Sequence, residues 1–182
     1  MGEAIIAVGV TLRDFEPSFT TASYLIGGIA FAMVLYWSYF DRALKIWERS
    51  LARQTLKTAG RFAVDVYTFT HFALIIGIVF SAVAMEEVFL HPNDPLEPFV
   101  AGLLTLAIAC FFGGIAAAAM RANRVFLYER LIAIAASAAV LFGLTTISAK
   151  SAVLLVTAII AIPMVFEHFR FRHVFREVEA GD

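Results

Sequence analysis

Five long apolar stretches without aspartate, glutamate, lysine or arginine constrain the fold of this chain more than any other feature. They cover residues 20–40, 66–85, 99–120, 131–149 and 151–166. A helix rises about 1.5 Å per residue, so about 20 apolar residues cross the roughly 30 Å hydrocarbon core of a bilayer. With their flanking residues, the stretches predict spans at about 20–40, 66–90, 99–120, 130–149 and 151–168. The expected fold class is all-α: one polytopic transmembrane helical bundle over residues 1–182, with five spans plus an N-terminal partial helix.

The composition excludes the common classes of soluble protein. Of the 182 residues, 61% are hydrophobic and 16% are charged, whereas soluble domains are about 45–50% apolar and about 25% charged. A formal net charge of −1 and a single cysteine also exclude a basic nucleic-acid binder and a disulfide-stapled secreted domain. The partner expected is therefore the lipid bilayer, with no nucleic acid.

The first twelve residues are apolar, but they are too few to cross a bilayer. They lack the basic start of a secretory signal, and Glu3 stands near their beginning. We interpret them as the end of a longer span, which predicts that the chain is truncated relative to its relatives. If Glu3 is embedded, it needs a partner from another helix.

Positive charges alternate from one connection to the next, and this alternation predicts the orientation. The connector 41–65 has six cations and the tail 169–182 has three, whereas the loop 91–98 has none. Because lysine and arginine concentrate in cytoplasmic loops, the connector and the C-terminal tail are predicted to be cytoplasmic. The loop 91–98 is then predicted to lie outside.

The connector itself is amphipathic. Leu44, Trp47 and Leu51 fall on one face of a helix, and the cations Lys45, Arg49 and Arg53 fall on another. Two interpretations stay open at this point: a helix lying in the headgroup region, with an anionic-lipid site as a variant of it, or a solvated connector.

Small residues at a spacing of four predict which helices pack most closely. The third span has such a row over Ala101, Thr105, Ala109, Gly113 and Ala117. The fourth span has one over Ala135, Ala139 and Gly143. Since small residues allow backbones to approach in a bilayer, these two spans are predicted to form the tightest pair.

The second span holds the most suggestive ionisable groups. Tyr67 and His71 share one helix face, and Glu86, Glu87 and His91 follow at the opposite end. Glu86 lies about 60° from His71 around the helix and about 22 Å from it along the axis. Three interpretations stay open: a histidine bonded to a neighbouring helix with acids at the headgroup level, a proton or ion path, or a metal site on Glu87 and His91.

The remaining charged groups complete the candidate set. Asp41 lies at the end of the first span, where the helix dipole is unfavourable to an acid, so a cationic partner is expected. Glu167, His168 and His173 are interpreted as a solvated face. The chain shows none of the common enzyme motifs, so no catalytic residue, cofactor or metal is predicted. The candidates for a proton or ion relay are Glu3, Asp41, Tyr67, His71, Glu86, Glu87 and His91.

Four segments occur in an order that is typical of one family. They are GEAIIAVG (2–9), WSYFDR (37–42), YTFTHFALIIGI (67–78) and AMEEVFLHPNDPLEP (84–98). On these segments the chain resembles the C-terminal half of the bacterial low-temperature-requirement A (LtrA) family. Family members are typically about twice as long. The matching positions are Glu3, Asp41, Tyr67, His71, His91 and Pro92.

The resemblance implies a bacterial inner-membrane protein, and it carries no established molecular activity. Three hypotheses stay open, of which the third, a membrane enzyme, would need a cavity lined by histidines and acids. The first is movement of protons, ions or a small solute, which fits the polar groups within the spans. The second is a non-transporting scaffold, or half of a larger membrane assembly formed with a second copy or a complementary subunit.

Overall fold

The described part of the chain is helical, as predicted. The computed structural model describes Ile6, Val10, residues 19–144 and residues 146–170, without the side chains of residues 19–21, 41, 42, 45, 46 and 168. The predicted N-terminal partial helix, Glu3 and most of the C-terminal tail lie outside the described residues. So do the side chains of Asp41 and His168.

Seven α-helices and two π-helical segments follow one another in this part of the chain. The α-helices are α1 (Phe19–Trp37), α2 (Leu44–Ala52), α3 (Leu56–Ala63), α4 (Thr70–Leu90), α5 (Pro98–Asn123), α6 (Tyr128–Gly143) and α7 (Ala149–Arg170). The π-helical segments, Ser38–Ala43 and Val64–Phe69, join α1 to α2 and α3 to α4. The described residues form no β-strand, and the all-α fold class is confirmed.

Among the residues that the structure describes, four helices are long and apolar enough to cross a membrane. They are Ala22–Phe40, Leu56–Leu90, Pro98–Asn123 and Ala149–Glu167. Helix α6 has 16 residues, which corresponds to about 24 Å. It ends at Gly143, before the predicted boundary at residue 149, because glycine and the threonines that follow are poor helix formers. The count of five spans therefore stays a prediction.

Helices α4 and α5 form the closest pair, contrary to the prediction for the third and fourth spans. A Cβ on Gly77 of α4 would lie 2.8 Å from the carbonyl oxygen of Ala107 and 3.0 Å from Cβ of Phe111. A Cβ on Gly114 of α5 would lie 3.2 Å from Cβ of Ala73. By contrast, a Cβ on Gly113 would meet nothing within 4 Å. Gly113, a member of the predicted row, therefore does not stand at the close contact.

The connector packs against the protein through its apolar face. The Trp47 side chain is only 1% exposed, and its ring lies 5.7 Å from that of Tyr39. Ser50 of α2 donates a hydrogen bond to Asn123 of α5 at 2.6 Å. This packing removes the apolar side of α2 from the headgroup region. The helix of the second span begins at Leu56, ten residues earlier than predicted.

The opposite end of the bundle is held by its backbone, and we call it the Lys150 end (residues 91–97 and 144–150). The N–H of Ala149 donates to the carbonyl of Asp94 at 2.8 Å, and the N–H of Lys150 donates to that of Pro92 at 3.1 Å. The ammonium of Lys150 also donates to Asn93 at 2.6 Å. The loop after α4 is thereby joined to the start of α7.

Candidate functional site

A buried ion pair joins α6 to α7 at the end of the bundle opposite Lys150. The guanidinium Nε of Arg130 donates to Oε1 of Glu167 at 2.6 Å, and Nη2 donates to Oε2 at 2.9 Å. The two side chains are 2% and 6% exposed. The interpretation of Glu167 as part of a solvated face is wrong, because its carboxylate points to a buried cation.

Two further elements contact the same guanidinium. Nη1 of Arg130 donates to Oγ of Ser38 at 2.7 Å, and Nη2 donates to the Ser38 carbonyl at 3.4 Å. The Phe112 ring of α5 lies 5.3 Å from Cζ, within the range of a cation–π contact. A buried charge is costly unless it is paired and hydrogen-bonded, and these contacts supply both. Arg130 thus holds four elements together.

Tyr39, the residue that follows Ser38, forms a hydrogen bond with His71. The Tyr39 hydroxyl is 2.6 Å from Nε2 of His71, and Nδ1 of His71 is 2.7 Å from the carbonyl oxygen of Tyr67. A carbonyl oxygen only accepts, so Nδ1 carries a hydrogen. In the neutral ring Nε2 then accepts the hydrogen of the Tyr39 hydroxyl. The arrangement fixes both the tautomer and the ring orientation.

Two aromatic rings contact this histidine, which is partly exposed. The Tyr67 ring is stacked on the His71 ring at 6.2 Å and 16°, and the Tyr39 ring meets it edge-on at 5.4 Å. Trp47 closes the group, with its ring 6.3 Å from that of Tyr67. The hydroxyl oxygen of Tyr67 is buried and has no hydrogen-bond partner among the described residues. The described residues therefore leave one buried hydroxyl of this aromatic group unsatisfied.

The two π-helical segments present these groups. Ser38 and Tyr39 belong to Ser38–Ala43, and Tyr67 belongs to Val64–Phe69. A π-helical turn takes an extra residue and occurs frequently at functional sites. We therefore define the Arg130 cluster as the candidate site. Its members are Ser38, Tyr39, Tyr67, His71, Arg130 and Glu167.

A second ion pair borders the Arg130 cluster. Nη1 of Arg170 in α7 donates to Oε1 of Glu129 in α6. The Arg170 guanidinium also lies 4.7 Å from the ring centre of Tyr128. The Glu129 side chain is mostly buried and that of Arg170 is partly exposed, so this pair lies between the cluster and the surface.

Of the predicted relay residues whose side chains the structure describes, Tyr67 and His71 lie together at one end of the bundle, and Glu86, Glu87 and His91 lie at the other. Glu86 is exposed, and Glu87 is partly exposed, both near the Lys150 end. His91 is also exposed there, with its ring nitrogens 3.7 Å from a Glu87 oxygen and 3.6 Å from an Asp94 oxygen. His71 and Glu86 lie near opposite ends of α4, about 22 Å apart along the helix axis. The predicted set thus falls into two separate groups.

The structure gives no support to a metal site on Glu87 and His91. Among the described residues, no group of three histidine, cysteine, aspartate or glutamate side chains is placed to hold a metal ion. Glu87 and His91 instead line a shallow cleft together with Asp94, Glu97 and Ala149. Two exposed ligands are too few for the tetrahedral sites that zinc prefers.

Sequence reasoning missed Ser38, Tyr39, Arg130 and Glu167 as members of the site. Arg130 and Glu167 stand directly at the ends of two consecutive apolar stretches, and they have opposite charges. Two consecutive antiparallel helices bring such ends to the same level. This combination of sign and position is the signal that could have identified the pair.

The comparison with known proteins supports the family resemblance. The family model described as "Bacterial low temperature requirement A protein (LtrA)" matches residues 1–166. The matched range contains the cluster residues up to Arg130 and ends one residue before Glu167. No curated protein and no solved structure matches the chain.

Proposed function

The chain belongs to the bacterial low temperature requirement A (LtrA) family, and from that premise we propose that it moves protons, another ion or a small solute across the bilayer. The observation that carries the proposal is the 2.6 Å hydrogen bond between Tyr39 and His71. It joins two helices that are long and apolar enough to cross a membrane. Ionisable groups inside such helices are costly and commonly mark ion or proton paths.

The geometry around His71 suits proton transfer. Neutral imidazole accepts a proton near physiological pH, and Nε2 is the nitrogen that faces the Tyr39 hydroxyl. When Nε2 takes a proton, the Tyr39 oxygen changes from donor to acceptor without a change of position.

Proton flux into vesicles that contain the purified chain and a pH-sensitive dye tests this proposal. We expect His71→Gln to abolish the flux, because glutamine retains hydrogen-bonding groups but does not take up a proton. Tyr39→Phe removes one hydrogen bond, of about 0.5–1.5 kcal/mol, and is expected to slow the flux by up to about tenfold. Tyr36→Phe is the matched control, since Tyr36 is exposed and lies outside the Arg130 cluster.

Equal flux in wild type, His71→Gln and Tyr39→Phe would contradict a role for the cluster in proton movement. The absence of flux in the wild type for protons and for every ion tested would contradict the transport proposal as a whole. The Tyr36→Phe control separates both results from a general effect of removing a tyrosine hydroxyl.

We also propose that the protein lies in the bacterial inner membrane with its C-terminus in the cytoplasm. Arg53, Lys57 and Arg61 are exposed at the end that carries the Arg130 cluster. The loop 91–98 at the Lys150 end has no lysine or arginine. This distribution follows the excess of cations in cytoplasmic loops.

Reporter fusions test this orientation. A periplasm-dependent phosphatase is expected to be inactive when fused after Asp182 and active when inserted after Asp94, because the two sites lie on opposite sides of the membrane. A cytoplasm-dependent fluorescent protein at the same two sites is the reciprocal control. The opposite pattern of activities would reverse the proposed sidedness.

The second candidate is a non-transporting, non-enzymatic scaffold, or half of a larger membrane assembly. One observation favours it: four of the five N–H groups of Arg130 already have acceptors on Ser38 and Glu167. A buried ion pair with this many hydrogen bonds can also serve only to hold helices in a fixed arrangement. This candidate predicts cross-linked dimers, or a copurifying membrane subunit, together with no flux for any ion.

A further inference from the structure

The contact between Arg130 and Glu167 has the geometry with which arginine recognises a carboxylate ligand. Nε and Nη2 face the two carboxylate oxygens at 2.6 and 2.9 Å. Two parallel N–H···O bonds from one guanidinium are typical of arginine sites for carboxylates. The Glu167 carboxylate thus occupies the position that an external carboxylate would take.

The guanidinium of Arg130 has contacts that do not depend on Glu167. Ser38 accepts hydrogen bonds from Nη1 and Nη2, and the Phe112 ring lies 5.3 Å from Cζ. These groups belong to the first π-helical segment and to α5, and neither element carries Glu167. A group that is oriented in advance loses less freedom when it binds a ligand. Arg130 is therefore prepared for a carboxylate from either source.

Glu167 lies beyond a gap in the helical hydrogen bonding of α7. It lies in the last turn of α7, four residues after Pro163. Proline has no N–H, so the carbonyl of Ile159 receives no helical hydrogen bond from this position. The turn with Glu167 is thereby less firmly joined to the rest of α7, whereas Arg130 lies in the unbroken first turn of α6.

Charge balance determines how an anion can reach Arg130. An anion beside an ionised Glu167 would leave one negative charge buried without a partner, which is strongly unfavourable. If Glu167 takes a proton from solution, the guanidinium passes to the anion and the charge of the site stays at zero. We propose that Arg130 binds a small carboxylate-bearing anion in place of Glu167, with one proton taken up per anion. This inference rests on the proposed function and names its solute.

Arg130 and three further charged or titratable groups of the described chain, Arg170, Glu129 and His71, bear on the test. Arg130 faces Glu167 from α6, and Arg170 on α7 is paired with Glu129. His71 lies behind Tyr39, the neighbour of Ser38. Because the proposed function assigns proton transfer to His71, its proton uptake has to be measured separately from that of Glu167.

Acetate binding to the purified full chain in detergent, measured by calorimetry between about pH 6 and 8, tests the proposal. This pH range lies above the pKa of acetate, so the added acetate is ionised. Chloride keeps the ionic strength constant. One proton per anion makes the apparent Kd rise about tenfold per pH unit in the wild type. Glu167→Gln has no proton to gain, so its Kd is expected to be lower and independent of pH.

Three further variants complete the experiment. His71→Gln is expected to keep the pH slope of the wild type, and so is Glu97→Gln, an exposed carboxylate at the Lys150 end. The double variant Arg130→Gln/Glu167→Gln leaves no unpaired buried charge and is expected to lose acetate binding. It serves in place of Arg130→Gln, in which an unpaired Glu167 could prevent folding.

A wild-type Kd that does not change with pH would overturn the proposal. So would unaltered acetate binding by the double variant, or no binding by a Glu167→Gln protein whose circular dichroism matches that of the wild type. Proton flux that needs no carboxylate would also overturn it, while leaving the proposed function intact. Proton-linked acetate binding without any flux would overturn the proposed function, but the inference that Arg130 binds a carboxylate would stand.

Discussion

Glu167→Ala is expected to lower the free energy of unfolding by about 3–5 kcal/mol, because removing one partner of a buried ion pair leaves the other charge uncompensated. Arg130 would keep its contacts to Ser38 and Phe112, but it would lose both hydrogen bonds to a carboxylate. Unfolding of the purified protein in detergent by a graded denaturant, followed by circular dichroism, measures the change.

An exposed ion pair gives the matched control. Asp65 and Arg121 are 2.9 Å apart, and their side chains are 30% and 47% exposed. Exposed pairs contribute about 0–1 kcal/mol, so Asp65→Asn should change stability little. The double variant Arg130→Met/Glu167→Leu removes both buried charges and should recover much of the loss. A Glu167→Ala effect no larger than that of Asp65→Asn would show that the buried pair does not stabilise the bundle.

Gly77→Val is expected to destabilise the protein by about 3 kcal/mol, the upper part of the range for inserting atoms into a packed core. Its Cβ alone would lie 2.8 Å from the backbone oxygen of Ala107. Backbone cannot move aside as the end of a side chain can, so α4 and α5 would have to separate. The same denaturation experiment measures the result.

Gly113→Val is the matched control for this effect. Gly113 lies in α5, and a Cβ there would meet nothing within 4 Å. Valine is also a better helix former than glycine, by a few tenths of a kcal/mol, so this variant should be neutral or slightly stabilising. Equal losses at Gly77 and Gly113 would mean that the close approach of α4 and α5 does not contribute to stability.

The helices could be predicted from the sequence, because the length of an uncharged apolar stretch directly reflects the thickness of the bilayer core. The prediction was less successful at helix ends. Gly143 ends α6 early, and the helix of the second span extends back to Leu56 through residues that are polar. A hydropathy pattern detects the part of a helix that suits lipid, not the whole helix.

The choice of packing partners could not be predicted from small residues alone. Rows at a spacing of four occur on several faces of the third span, and only packing decides which face meets a neighbour. Gly77 and Gly114 stand at the contact, whereas Gly113 lies beside it. A helix rotated by about 100° per residue turns the adjacent glycine away from the partner.

The candidate site was predicted only in the part that lies on one helix. Tyr67 and His71 share a face, and that relation is readable from their spacing. The contacts of Tyr39 with His71 and of Arg130 with Glu167 span 32 and 37 residues of sequence. Such contacts depend on how helices are arranged around one another, which a single sequence without an alignment does not specify.

The two ends of the bundle differ in what holds them, and this difference determines which substitutions each end tolerates. Near Lys150, the N–H groups of Ala149 and Lys150 donate to the carbonyls of Asp94 and Pro92. Every amino acid has a backbone carbonyl, and every amino acid except proline has a backbone N–H. Near Arg130 each link depends on the chemistry of one particular side chain. Substitutions other than proline at Asp94 or Ala149 are therefore expected to keep these backbone bonds, whereas a substitution at Arg130 or Glu167 is expected to remove the contact between them.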